Sequence, residues 1–150
     1  MRLRPTHLPV FYLLTALPSL LALLPAFAHS AGHTGLAAFL FQAQGEFCHQ
    51  ATTRSIFLGT VQAGVCSRCF GIYLGLPVGL LLGHLRPALA RVPRSAVLAS
   101  LVPMAIDWLG TATGQWSPCQ VVRLGTGLMA ALAVCSHLSA MLRIEIGEVK

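Results

Sequence analysis

Four long runs of apolar residues, broken only by short polar stretches, constrain this chain more than anything else in its sequence. They are Leu8 to Ala28, Cys69 to Leu85, Ser95 to Gly110 and Val121 to Leu142. Roughly 20 helical residues cross the hydrocarbon core of a bilayer, and somewhat shorter runs still reach. A backbone in lipid must satisfy its own N–H and C=O groups, so such runs are read as helices. The composition points the same way. Hydrophobic residues make up 55% of the chain and charged residues 9%, and the mean hydropathy is +0.74. A soluble domain carries about 25% charged residues. The expected fold is therefore all-α: a polytopic transmembrane bundle of about four spans, forming a single membrane domain over residues 1–150.

The first run follows Arg2 and Arg4 and ends in Ala26-Phe27-Ala28, a small-residue pattern that also suits a signal-peptidase site. Residues 1–28 are thus a first span or a signal-like segment, with the retained helix favoured although Pro18 and Pro25 interrupt it. Residues 29 to 69 form the first outer loop. Within it, Leu36 to Phe47 is apolar but too short to span, which predicts a short interfacial helix. The stretch Thr111 to Gln120 is rich in Gly, Thr, Ser and Pro, as a turn between spans should be.

Charge sets the orientation. Arg2, Arg4, Arg86, Arg91, Arg94, Arg143 and Lys150 fall in segments assigned to one side, and only Arg54 and Arg68 in those assigned to the other. The positive-inside rule then puts both termini in the cytoplasm of a cell bounded by this inner membrane. The formal net charge of +6 does not point to nucleic acid, because the basic residues stand in ones and twos beside apolar runs. The expected partners are the lipid bilayer and either further copies of the chain or another membrane protein.

Two rows of small residues predict how the spans pack. Gly71, Gly75, Gly79 and Gly83 recur at every fourth position of the second span, and Gly127, Ala131, Cys135 and Ser139 do so in the fourth. In lipid, such bare ridges let two helix backbones approach closely. Extending the second row back by four positions reaches Arg123, which should therefore face a neighbouring helix or cavity rather than lipid.

The same topology gathers polar residues at the outer end: Cys48-His49-Gln50, Arg54-Ser55, Cys66-Ser67-Arg68-Cys69, Asp107, Cys119 and Arg123. Asp107 and Arg123 flank one hairpin, where opposite charges are expected to pair. Alternatively, Arg123 binds an anionic or quinone-like group that Asp107 orients. Cys48, His49, Cys66 and Cys69 could supply a four-ligand set for zinc. Adjacent Cys48 and His49 do not readily point at one ion, so Cys119 is a substitute ligand. The Cys66-x-x-Cys69 pair also fits a redox dithiol, since a helix N-terminus and Arg68 lower a thiol pKa. A structural disulfide in an oxidising compartment fits as well. His29 and His33 read as solvated, His84 and His137 as packed, Cys135 as a packing residue, and Trp108 and Trp116 as an interfacial belt.

Taken together, Cys48-His49-Gln50, Arg54-Ser55 and the run Cys66-Ser67-Arg68-Cys69-Phe70-Gly71-Ile72-Tyr73-Leu74-Gly75 resemble the membrane-protein family called domain of unknown function 2085. Ile106-Asp107 and Arg123-Leu124-x-Thr126-Gly127 resemble its second half. The likeness covers roughly residues 45 to 130 and departs near Ser117-Pro118-Cys119, where the family tends towards Ser-Thr-Asn. It implies a multi-span membrane protein and supplies no activity. It also implies that Cys48, His49, Arg54, Cys66, Arg68, Cys69, Asp107 and Arg123 act together. Three functions follow from the residues: a membrane zinc-binding module, a quinone-linked type of thiol-disulfide oxidoreductase, and a small transporter or assembly subunit.

Overall fold

The computed structural model describes residues 8–85, 92–117 and 119–147. Helix α1 spans Leu8–Ser30 and α2 spans Thr34–Gly45. A short 3-10 turn, Thr52–Arg54, leads into strands β1, Ser55–Leu58, and β2, Val61–Cys66. Three long helices follow: α3, Ser67–Leu85, α4, Arg94–Ala112, and α5, Gln120–Gly147. Four of the helices are long and apolar enough to cross a membrane, over Pro9–Ser30, Ser67–Leu85, Arg94–Ala112 and Gln120–Ser139. The all-α bundle of four spans stands, with α2 as the short helix of the first loop. Helix α1 runs unbroken through Pro18 and Pro25. Transmembrane helices tolerate proline where neighbouring groups satisfy the freed carbonyls.

The molecule is built with its large apolar side chains outside. Leu13, Leu20, Leu98, Phe39 and Val121 are all exposed, Leu13 by 67%. The buried positions are small: Ala22, Ala26, Ala63, Ala130, Ala131, Cys135, Ser136 and Ser139. Water drives leucines inward, but lipid does not, so the interior is left to residues that let backbones touch.

The closest such contact joins α3 to α5. Gly71, Gly75, Gly79 and Gly83 are all buried. A Cβ added at Gly75 would lie 2.5 Å from the Ala131 Cβ, and one at Gly79 would lie 2.8 Å from the Cys135 Cβ. At Gly71 it would meet the Leu124 carbonyl, at Gly83 the Ser139 side chain, and at Gly127 the Arg68 carbonyl. The two small-residue rows therefore face each other along parallel helices. Helix α4 packs on α5, and α1 packs on α2, β2 and α3. At the far end from the cysteines, the Tyr12 and His84 rings meet edge to face at 6.5 Å. There His137 Nδ1 also bonds the Val92 carbonyl at 2.7 Å.

The apolar pattern did not predict the antiparallel hairpin β1–β2. Leu58 pairs with Val61 and Phe57 with Gln62, and the register is irregular between Ser55 and Phe57. Its two-residue turn is Gly59-Thr60, with positive φ at Gly59 (+64°) and not at Thr60. That is the signature of a type II′ hairpin turn, which takes Gly at its first central position.

Candidate metal and polar site

Three chain segments converge where α3 begins. Cys66 is the last residue of β2, and Cys69 lies in the first turn of α3, so the strand-to-helix junction presents both thiols. Cys48 arrives from the segment after α2, is buried, and accepts the Cys66 backbone N–H at 3.1 Å. The three Sγ atoms all lie within 4.8 Å of one another. Ala22 of α1 and Val65 of β2 pack against Cys48, with Cys66, Cys69, Phe70 and Tyr73 at the edge of this apolar nest. Hydrogen bonding with the Cys48 thiol, and then with Cys69, pulls the Cys66 thiol far below the ordinary thiol range, although burial opposes the shift. A lowered pKa favours the thiolate, the form that binds metal or attacks a disulfide.

A set of amide and hydroxyl side chains fixes these segments; the sequence places Gln50, Ser55 and Ser67 at this end but does not single out Gln44 or Gln62. Gln50, at φ +48°, donates from Nε2 to the Phe41 carbonyl and the Gly64 carbonyl, each at 2.6 Å. Gln62 Nε2 donates to the Gln50 carbonyl at 2.6 Å and to Ser55 Oγ at 3.0 Å. Gln44 Nε2 reaches the Leu21 carbonyl of α1 at 2.8 Å. Ser67 Oγ donates to the Arg54 carbonyl at 3.0 Å. Buried irregular backbone needs such partners.

Beside the thiols lies an ionic group. Arg68 and Arg123 both approach Asp107 Oδ2: Arg68 through Nη2 and Arg123 with its Nε 3.4 Å away. Asp107 is 5% exposed and Arg123 is 3% exposed. Arg123 Nη2 also donates to Thr111 Oγ1 at 2.8 Å. The anticipated Asp107–Arg123 pair is present, and Arg68 joins it as a partner that the hairpin spacing did not suggest. The reason is the α3–α5 contact, which brings the first turn of α3 up to the same helix end. Arg54 is exposed, and its carbonyl accepts the Ser67 hydroxyl at the head of α3.

Other candidates fall elsewhere. His49 is exposed and does not share the thiol cluster, because neighbours in a non-helical segment turn their side chains apart. Cys119 is exposed and Cys135 is buried, and no disulfide forms among the described residues. Helix α4 is closed just beyond its end by Gly114, at φ +74°, with the Gln115 N–H donating to the Gly110 carbonyl at 2.8 Å. This Schellman-type end sets the turn that carries Trp116 and Cys119.

Residues 48–137 match the family described as predicted membrane protein (DUF2085). The chain belongs to the DUF2085 family. The matched region opens at the first thiol of the cluster and takes in Arg54, Cys66, Arg68, Cys69, Asp107 and Arg123. An uncharacterised protein of Methanocaldococcus jannaschii is 30% identical over 102 residues, which cover 66% of this chain and 65% of that relative. This DUF2085 chain therefore spans just under two thirds of its relative's length. No solved structure matches it.

Proposed function

We propose that this membrane protein binds a metal ion, zinc by the chemistry of its donors, through Cys48, Cys66 and Cys69. The observation that carries this reading is the meeting of three thiol sulfurs within 4.8 Å of one another, drawn from two segments distant in sequence. Thiolates select zinc and other soft or borderline ions. The N–H···S bond from Cys66 to Cys48 is the kind of outer contact that orients a metal ligand. Three protein ligands leave the fourth tetrahedral position for water or an exogenous group, as catalytic zinc sites do. His49 would need to swing inward to fill it. Charge distribution along the chain supports a location at the non-cytoplasmic end.

The test is the metal content of full-length protein purified in mild detergent, before and after chelation. About one zinc per chain is expected, with the Cys66→Ser, Cys69→Ser double variant and Cys48→Ser each binding at least about tenfold more weakly. Cobalt substituted for zinc should produce a thiolate-to-cobalt charge-transfer band in the native protein alone. A protein without stoichiometric metal, unaffected by chelator, removes this reading. The low-lying Cys66 thiol favours one other reading, a dithiol that cycles with disulfide alongside a third thiol. Alkylation trapping separates the two: a redox pair changes state with growth conditions, whereas metal ligands stay reduced.

A further inference from the structure

The ionic group beside the thiols is unbalanced. Arg68 and Arg123 meet one carboxylate, that of Asp107, and Arg54 at the exposed rim adds a third positive charge, which leaves an excess of two. Glu46, the nearest other acid along the chain, is exposed and forms no ion pair among the described residues. A thiolate-bound zinc would bring a single negative charge, so one positive charge of the three survives even then. Uncompensated charge at membrane depth is costly and marks a pathway or binding site.

The donors are unspent as well. Arg68 Nε and Arg123 Nε are buried without a hydrogen-bond partner. Both arginines lean on one oxygen of Asp107, and beyond that Arg123 has only the Thr111 hydroxyl. A guanidinium carries five N–H donors in a planar fork that matches the oxygens of a carboxylate or phosphate. Arg54 stands at the exposed rim, and its carbonyl is tied to Ser67 at the start of α3, next to Arg68. The arrangement is therefore graded, with one guanidinium at the surface, one part-buried and one deeply buried. Asp107 holds the inner two in place.

We propose that Arg54, Arg68 and Arg123 form an oxyanion-binding site whose ligand is a phosphate-type group. Arg54 meets the group at the rim, and the unpaired Nε–H of Arg68 together with the remaining guanidinium N–H groups of Arg123 holds it at the end of the bundle. The same chemistry is offered by free phosphate and by the headgroup of an anionic phospholipid. The site does not depend on metal binding, and chelated protein should retain it.

The experiment uses full-length protein, purified in neutral detergent and treated with chelator. Its first arm measures thermal stability with inorganic phosphate against chloride of equal ionic strength, since a ligand that binds only the folded state raises Tm. The second arm reconstitutes the protein in vesicles of phosphatidylcholine with or without phosphatidylglycerol, then counts retained lipid by native mass spectrometry. Stabilisation by phosphate assigns a free oxyanion, and selective retention of phosphatidylglycerol assigns a headgroup. In either case Arg123→Gln should bind at least about tenfold more weakly, and Arg54→Gln several-fold more weakly. Arg54 is exposed, so its variant folds and decides the matter alone should Arg123→Gln not fold. No response in either arm, or a response that Arg54→Gln leaves unchanged, overturns the proposal.

Discussion

Asp107 shows how much one side chain can be asked to do inside a membrane. It is nearly inaccessible, and it is the acid that both Arg68 and Arg123 approach. Breaking a buried ion pair by neutralising one partner costs more than the pair contributes, because the remaining charges keep their desolvation penalty. Asp107→Asn should therefore lower stability by about 3 kcal/mol or more, measured by denaturant unfolding in micelles. The double variant with Arg68→Gln should recover part of that loss, since one unpaired charge goes with it. A neutral Asp107→Asn would mean that the two arginines find their counter-charge elsewhere, and a bound anion would be the first candidate.

At the scale of elements, the α3–α5 contact depends on what is missing from it. Each glycine of α3 lies so near α5 that no Cβ fits without displacement. Gly75→Ala must push Ala131 away, and overpacking of this kind costs about 1–3 kcal/mol. Gly125 is the matched control, on the same helix α5, where an added Cβ would meet nothing within 4 Å. Gly125→Ala should be neutral or gain up to about 1 kcal/mol from helix propensity. Unfolding of the two variants in the same detergent separates close packing from mere helix composition. Because α3 also carries Arg68 and Cys69, Gly75→Ala should loosen the site as well, and metal affinity should fall with stability.

For the whole molecule, the inversion of polarity is the governing fact: leucines outside, glycines, alanines and serines within. Such a body suits lipid as its surroundings, and the bias of its arginines and lysine makes a testable prediction of its orientation there. Cys119 is an exposed thiol at the same end as the cluster. If charge bias orients the chain as argued, a membrane-impermeant maleimide added to intact cells should label Cys119, and Cys119→Ser should abolish the labelling. Labelling that appears only after the membrane is opened would invert the topology and put the thiols on the cytoplasmic side.

Much of this architecture was legible before any coordinates, and the reason is solvent. A bilayer admits few backbone solutions, so apolar length alone predicted the four spans. Four-residue spacing of small side chains predicted the mating of α3 with α5, because close approach leaves no other choice of residue. Other features were not legible. The hairpin at Ser55–Leu58 and Val61–Cys66 is short and irregular in register, and its pairing rests on Gln50, Gln62 and Ser55, whose partners lie up to 14 positions away. Nothing in Arg68's own neighbourhood names Asp107, which is 39 residues along. Four cysteine and histidine positions were credible ligands on type and spacing. Only the turn of the chain after α2 decided that Cys48 enters the cluster while His49 faces out. Local pattern, set by the solvent, determined the elements and their faces. The tertiary structure decided which distant side chains share one end of the bundle.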